Sequence, residues 1–163
     1  MIRTFAAVRT AVYASGFVFL WAWVSQQFRR FDGALGGSLP AASRLAGIVV
    51  MAMGGLIAAL CLLSFVIWGR GTPAPFDAPR RLVASGPYRY VRNPMYIGGG
   101  LLLLGFGLYL RSPAMALFAP IWWLMIDPLV VFYEERALRA KFGQEYEAYC
   151  RRTPRWIPSF SER

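Results

Sequence analysis

Residues 45–68 read LAGIVVMAMGGLIAALCLLSFVIW, 24 consecutive positions without a charged side chain. A helix of that length crosses roughly 30 Å of hydrocarbon with some tilt, so the stretch reads as a transmembrane helix and sets the fold class. Within it Gly54 and Ala58, like Gly55 and Ala59, lie four apart, a spacing that lets a neighbouring helix approach closely.

Three more apolar runs flank this one. Upstream, the run from Thr10 to Val24 follows Arg3 and Arg9 in the manner of a signal peptide, but no small-residue cleavage site closes it, and it reads as a retained first helix. Downstream, Pro94 to Leu110 begins with proline at a helix start, where a missing N–H costs nothing. Only Arg111 and Ser112 join it to the run from Pro113 to Tyr133, so these two should form an antiparallel pair. The expectation is an all-α polytopic membrane protein: one domain over residues 1–163 with about four transmembrane helices, two of them within 10–68, and a C-terminal cytosolic amphipathic helix.

Composition agrees with that setting. A chain of 163 residues that is 57% hydrophobic is too apolar for a soluble domain of its size. Its net charge of +10 raises nucleic acid as a partner, but basic residues flanking apolar spans are explained more economically by anionic lipid head groups and insertion topology. No nucleic-acid partner is expected. Cys61 and Cys150 make no disulfide framework, and the absence of histidine removes a His-based metal site or His general base; no metal is expected.

Basic residues also orient the chain. With a cytosolic N-terminus, its two arginines, the five in the 69–93 loop and the seven basic residues after Tyr133 lie inside, against three in the 25–44 loop and Arg111 outside. The 69–93 loop and the tail then share the cytosolic face. Seventeen arginines beside a single lysine point to GC-rich bacterial coding, and so to a bacterial inner membrane.

Two polar stretches meet at that face. The first, RRLVASGPYRYVRNPMYIG over residues 80–98, puts tyrosine or arginine at four of the five positions from Tyr88 to Arg92. The tyrosines have the alternative of an interfacial aromatic belt, and Arg89 and Arg92 of anchoring to phosphate head groups. The second, EERALRAKFGQEYEAYCRRTPRWIP over 134–158, carries Leu138, Phe142, Tyr146 and Tyr149 at spacings of four, four and three, the stripe of an interfacial helix that Gly143 interrupts. Its opening carboxylates, Glu134 and Glu135, either meet a cationic ligand at the membrane boundary, or Glu135 simply pairs with Arg139 one turn on while Glu134 faces water. Asp127, inside the fourth run, either serves a function or pairs with a loop arginine.

GPYRYVRNPMYIG, an apolar hairpin and then EERALRAKFGQEYEAYCRRTPRWIP together resemble the isoprenylcysteine carboxyl methyltransferase and phospholipid methyltransferase family of integral membrane enzymes. The likeness covers roughly residues 71–158, a methyltransferase-like core; before Arg70 the residues carry no family mark. The resemblance implies an S-adenosylmethionine cofactor held by Leu82, Val83, Tyr88, Asn93, Pro94, Met95 and Tyr96, with Glu134 and Glu135 closing the pocket and Arg92 and Glu134 as catalytic groups. Many members carry histidine where Asn93 stands, which keeps hydrogen bonding and removes a titratable group. The implied acceptor is a lipid or prenylated small molecule entering from the bilayer: an isoprenylcysteine carboxylate, a phospholipid amine or another lipid. Prenylcysteine enzymes place an arginine about one turn before the carboxylate pair, where Leu129 and Val130 stand. An NADPH-dependent membrane reductase and a non-enzymatic small transporter are the readings from other classes.

Overall fold

The computed structural model describes residues 19–20, 22–69 and 81–158, and all its regular elements are helical. Most of the expected first span, residues 10–24, lies outside the described residues. Its end, α1 (residues 22–29), packs Val24 and Phe28 against Leu103 and Phe118, with the Phe28 and Phe118 rings 4.2 Å apart.

The uncharged stretch forms α2 (Ser43–Ser64), whose ladder widens to a π turn over Phe65–Gly69. After it come a 3-10 turn (Gly86–Arg89), α3 (Pro94–Tyr109) and α4 (Pro113–Leu129). Both α3 and α4 begin with proline at the first helical position; Ser112 caps α4 by accepting from Met115 N at 3.1 Å. Across the same end, Asp32 Oδ1 accepts from the Ser112 hydroxyl at 2.7 Å and from Ala114 N at 3.1 Å.

A second π turn, Val130–Glu134, begins two residues after Pro128, which removes one rung of the helical ladder. The helix nevertheless runs on through α5 (Glu135–Phe142), so the tail expected to begin at Glu134 is at first a continuation of the same rod. It stops only at Gly143, whose φ of 51° turns the chain into α6 (Gln144–Arg152).

Helix α3 lies between α2 and α4 and touches both along glycine. A Cβ on Gly54 would sit 2.7 Å from Gly98 O, and one on Gly105 would sit 2.6 Å from Met51 N. On another face of α3, Gly107 stands against Ala116 N of α4. Close backbone approach on two faces is why α3 carries so many glycines, as expected of helix packing. The rods Ser43–Trp68 and Pro113–Phe142 are long and apolar enough to cross a membrane, whereas α3, at 16 residues, rises only about 24 Å. Only 17% and 22% of the most apolar windows of the two rods are covered by protein, the reverse of a soluble core helix.

Candidate functional site

Where the two π turns converge on the first turn of α3, the helices leave a cavity of about 340 Å³. Phe65 closes it from the end of α2; Leu82, Val83, Tyr88, Arg92 and Asn93 come from the connecting segment; Met95 and Tyr96 come from α3. The opposite wall is Leu129, Val130, Tyr133 and Glu134, then Glu135, Ala137 and Leu138 of α5 and Tyr146 and Tyr149 of α6. Every site residue anticipated from the sequence except Pro94 lines this cavity; Pro94 is buried at the start of α3.

Tyr88 reaches inward because Gly86 takes a φ of 62° and lets the 3-10 turn sit on Ser64, whose Oγ would be 2.6 Å from a Cβ there. The Tyr88 ring meets Phe65 edge-on at 5.4 Å, and its carbonyl accepts the Tyr149 hydroxyl at 2.7 Å. Burial pushes the phenols of Tyr88 and Tyr149 well above their ordinary range, so both stay neutral.

The two adjacent carboxylates have different surroundings. Glu135 is 2% exposed and its oxygens are occupied: Oε1 meets Arg92 Nη1 at 3.0 Å and Arg155 Nε at 2.8 Å, while Oε2 meets Nη2 of both Arg155 and Arg139 at 3.2 Å. The anticipated Glu135–Arg139 pair therefore exists, as one of three. Glu134 accepts from the Tyr96 hydroxyl at 2.9 Å and makes no ion pair among the described residues. A helical step of about 100° separates the two side chains, so one enters an arginine cluster and the other faces the cavity.

Arg92 joins the cluster to the cavity. Nη1 donates to Glu135 and to Cys150 Sγ at 2.8 Å, while Nε, buried in the cavity wall, has no partner among the described residues. A buried guanidinium N–H without an acceptor is costly. The Asn93 side-chain amide donates to Arg155 O at 3.2 Å.

Tyr146 and Tyr149, anticipated on an interfacial stripe, face the cavity instead; Tyr146 is 2% exposed. Their spacing was visible, but lipid-facing and cavity-facing aromatic stripes share one period. Asp127 pairs with Trp156, whose Nε1 donates to Oδ1 at 2.7 Å, rather than with a loop arginine.

A family description for phospholipid methyltransferases matches residues 42–145, and so takes in α2, upstream of the resemblance read from the sequence. A cobalt-zinc-cadmium resistance protein of Cupriavidus metallidurans is 36% identical over 80 residues, 49% of this chain and 37% of the relative. A protein-S-isoprenylcysteine O-methyltransferase of Arabidopsis thaliana is 33% identical over 79 residues, 48% of this chain and 40% of the relative, and its counterpart in Schizosaccharomyces pombe is 35% identical over 78 residues, 47% and 33%. The aligned part is under half the length of each of these relatives.

Proposed function

The chain belongs to the phospholipid methyltransferase family, and on that premise we propose that it is an integral-membrane, S-adenosylmethionine-dependent methyltransferase whose acceptor is a lipid. The observation that carries this reading is the cavity: a largely apolar and aromatic wall to which Arg92 and Glu134 both contribute charged side chains.

The side chains present fit such a cofactor. The Arg92 guanidinium would take its carboxylate, Glu134 its ammonium or a ribose hydroxyl, and Leu82, Val83, Tyr88 and Met95 would form the wall against the adenosine. When bound, the cofactor supplies an activated methyl group on a sulfonium. The protein's part in such a transfer is alignment and exclusion of water, which needs no nucleophile from the chain. Tyr96 fixes the rotamer of Glu134; Asn93 lines the cavity as a hydrogen-bonding group that does not titrate.

The acceptor enters between the ends of α2 and α4, where Phe65, Leu129 and Tyr133 line the cavity and Leu129 and Tyr133 are 49% and 61% exposed. Two relatives are isoprenylcysteine O-methyltransferases by name, which makes a prenylated carboxylate one candidate. A phospholipid amine is the other: Leu129 and Val130 provide no cation for a carboxylate, and Glu134, free of arginine partners among the described residues, can take a proton from an ammonium. In this reading the chain has four spans in a bacterial inner membrane, with both termini and the cavity mouth cytosolic. A thermal-shift comparison tests it: S-adenosylhomocysteine raises the unfolding midpoint and NADPH does not, whereas a shift with NADPH alone would favour a reductase.

A further inference from the structure

The segment from Thr153 to Pro158, after α6, lines no part of the cavity, yet it touches the groups that do. Pro154 O accepts Arg92 N at 2.9 Å, Arg155 O accepts the Asn93 amide at 3.2 Å, and the Trp156 ring packs on Tyr96 at 6.5 Å while its Nε1 is tied to Asp127. The strongest attachment is the Arg155 guanidinium, whose Nε and Nη2 take one oxygen each of Glu135. A planar fork that holds both oxygens fixes the plane of a carboxylate as a point charge does not. The oriented Glu135 then holds Nη1 of Arg92, a residue that itself lines the cavity.

We infer that Arg155 is a positioning residue: acting through Glu135, it aims Arg92 at an anionic group in the cavity, which under the function proposed above, on which this rests, is the carboxylate of the cofactor's amino-acid portion. Arg155 lies beyond residue 145, where the matched family segment ends, and within the stretch that carries the sequence resemblance. Glu135 is then part of the support, and Arg92 and Glu134 are the groups that meet ligand.

Two ligands separate positioning from general support. S-Adenosylhomocysteine carries the amino-acid portion, and 5′-methylthioadenosine keeps the adenosine and sulfur without it. In calorimetry on the full-length protein in nanodiscs, Arg155→Gln should weaken S-adenosylhomocysteine roughly tenfold, the scale of one lost hydrogen bond to a charged group, and leave 5′-methylthioadenosine unchanged. Arg155→Lys, which keeps the charge and loses the fork, should show the same selective loss, and it decides the matter if the glutamine variant does not fold. Arg152→Gln, at an exposed position in the last turn of α6, serves as the control and should bind both ligands as wild type does. A parallel loss of both ligands, or wild-type affinity for both, overturns the positioning role while leaving the proposed function standing. Failure of the wild-type protein to bind either ligand overturns the proposed function, and the positioning role with it.

Discussion

Tyr96, in the first turn of α3, donates its hydroxyl hydrogen to Glu134 Oε2 at 2.9 Å, a bond that joins the two sides of the cavity across 38 residues of sequence. The Tyr96 ring is itself held between Trp122 at 6.3 Å and Trp156 at 6.5 Å, so the hydroxyl has little freedom to move away.

Removing that hydroxyl tests whether it orients Glu134. Tyr96→Phe keeps the ring and its neighbours, and should weaken S-adenosylhomocysteine binding by about 1 kcal/mol, roughly fivefold, with the unfolding midpoint little changed. Unchanged affinity in calorimetry would mean that Glu134 needs no holding.

Glu135 and Arg139 should differ sharply in their effect on stability. Glu135→Gln leaves Arg92 and Arg155 without a buried counter-charge and should cost about 3 kcal/mol, whereas Arg139, with a side chain 41% exposed, should cost under about 1 kcal/mol as Arg139→Gln. Thermal unfolding in detergent reads both; equal effects would mean that the arginine cluster is not what holds the tail in place.

The glycine seam between α2 and α3 makes a third prediction. Gly54→Ala puts a methyl 2.7 Å from Gly98 O, a backbone atom that cannot swing away, and should cost about 1–3 kcal/mol. Gly55→Ala, whose nearest neighbour is a leucine methyl at 4.0 Å, should be close to neutral. Similar midpoints for the two variants would show that the helices are not packed at this distance.

Orientation is open to direct labelling. In a background with Cys61 and Cys150 replaced, Ser38→Cys should react with an impermeant maleimide from outside intact cells and Ser85→Cys only after permeabilisation. The reverse pattern would place the cavity mouth away from the cytosol.

Much of this site was legible in the sequence because it is contiguous there. The connecting segment supplies Leu82, Val83, Tyr88, Arg92, Asn93, Met95 and Tyr96 from a run of fifteen positions bounded by an apolar helix, and the carboxylate pair marks the end of another. The tail was not legible in the same way. Gly143, with its φ of 51°, redirects the chain so that Tyr146 and Tyr149 point back at the cavity, and helical spacing does not encode that change of direction. Nor does the pair Glu134–Glu135 reveal which carboxylate enters the arginines: three of their partners, Tyr96, Arg92 and Arg155, are between 20 and 43 positions away. The continuous rod from Pro113 to Phe142 was hidden for a simpler reason, since a change from apolar to charged residues looks like a boundary although nothing there breaks a helix.

Calorimetric titration of S-adenosylhomocysteine into the purified protein and its Glu134→Gln variant, in nanodiscs, tests the assignment of this cavity most directly. The wild type should bind in the micromolar to sub-millimolar range, about 5–8 kcal/mol. Glu134→Gln should bind roughly ten- to a hundredfold more weakly, with Glu145→Gln, at an exposed position of α6, matching the wild type. No heat with the wild type, or wild-type affinity in Glu134→Gln, would contradict it.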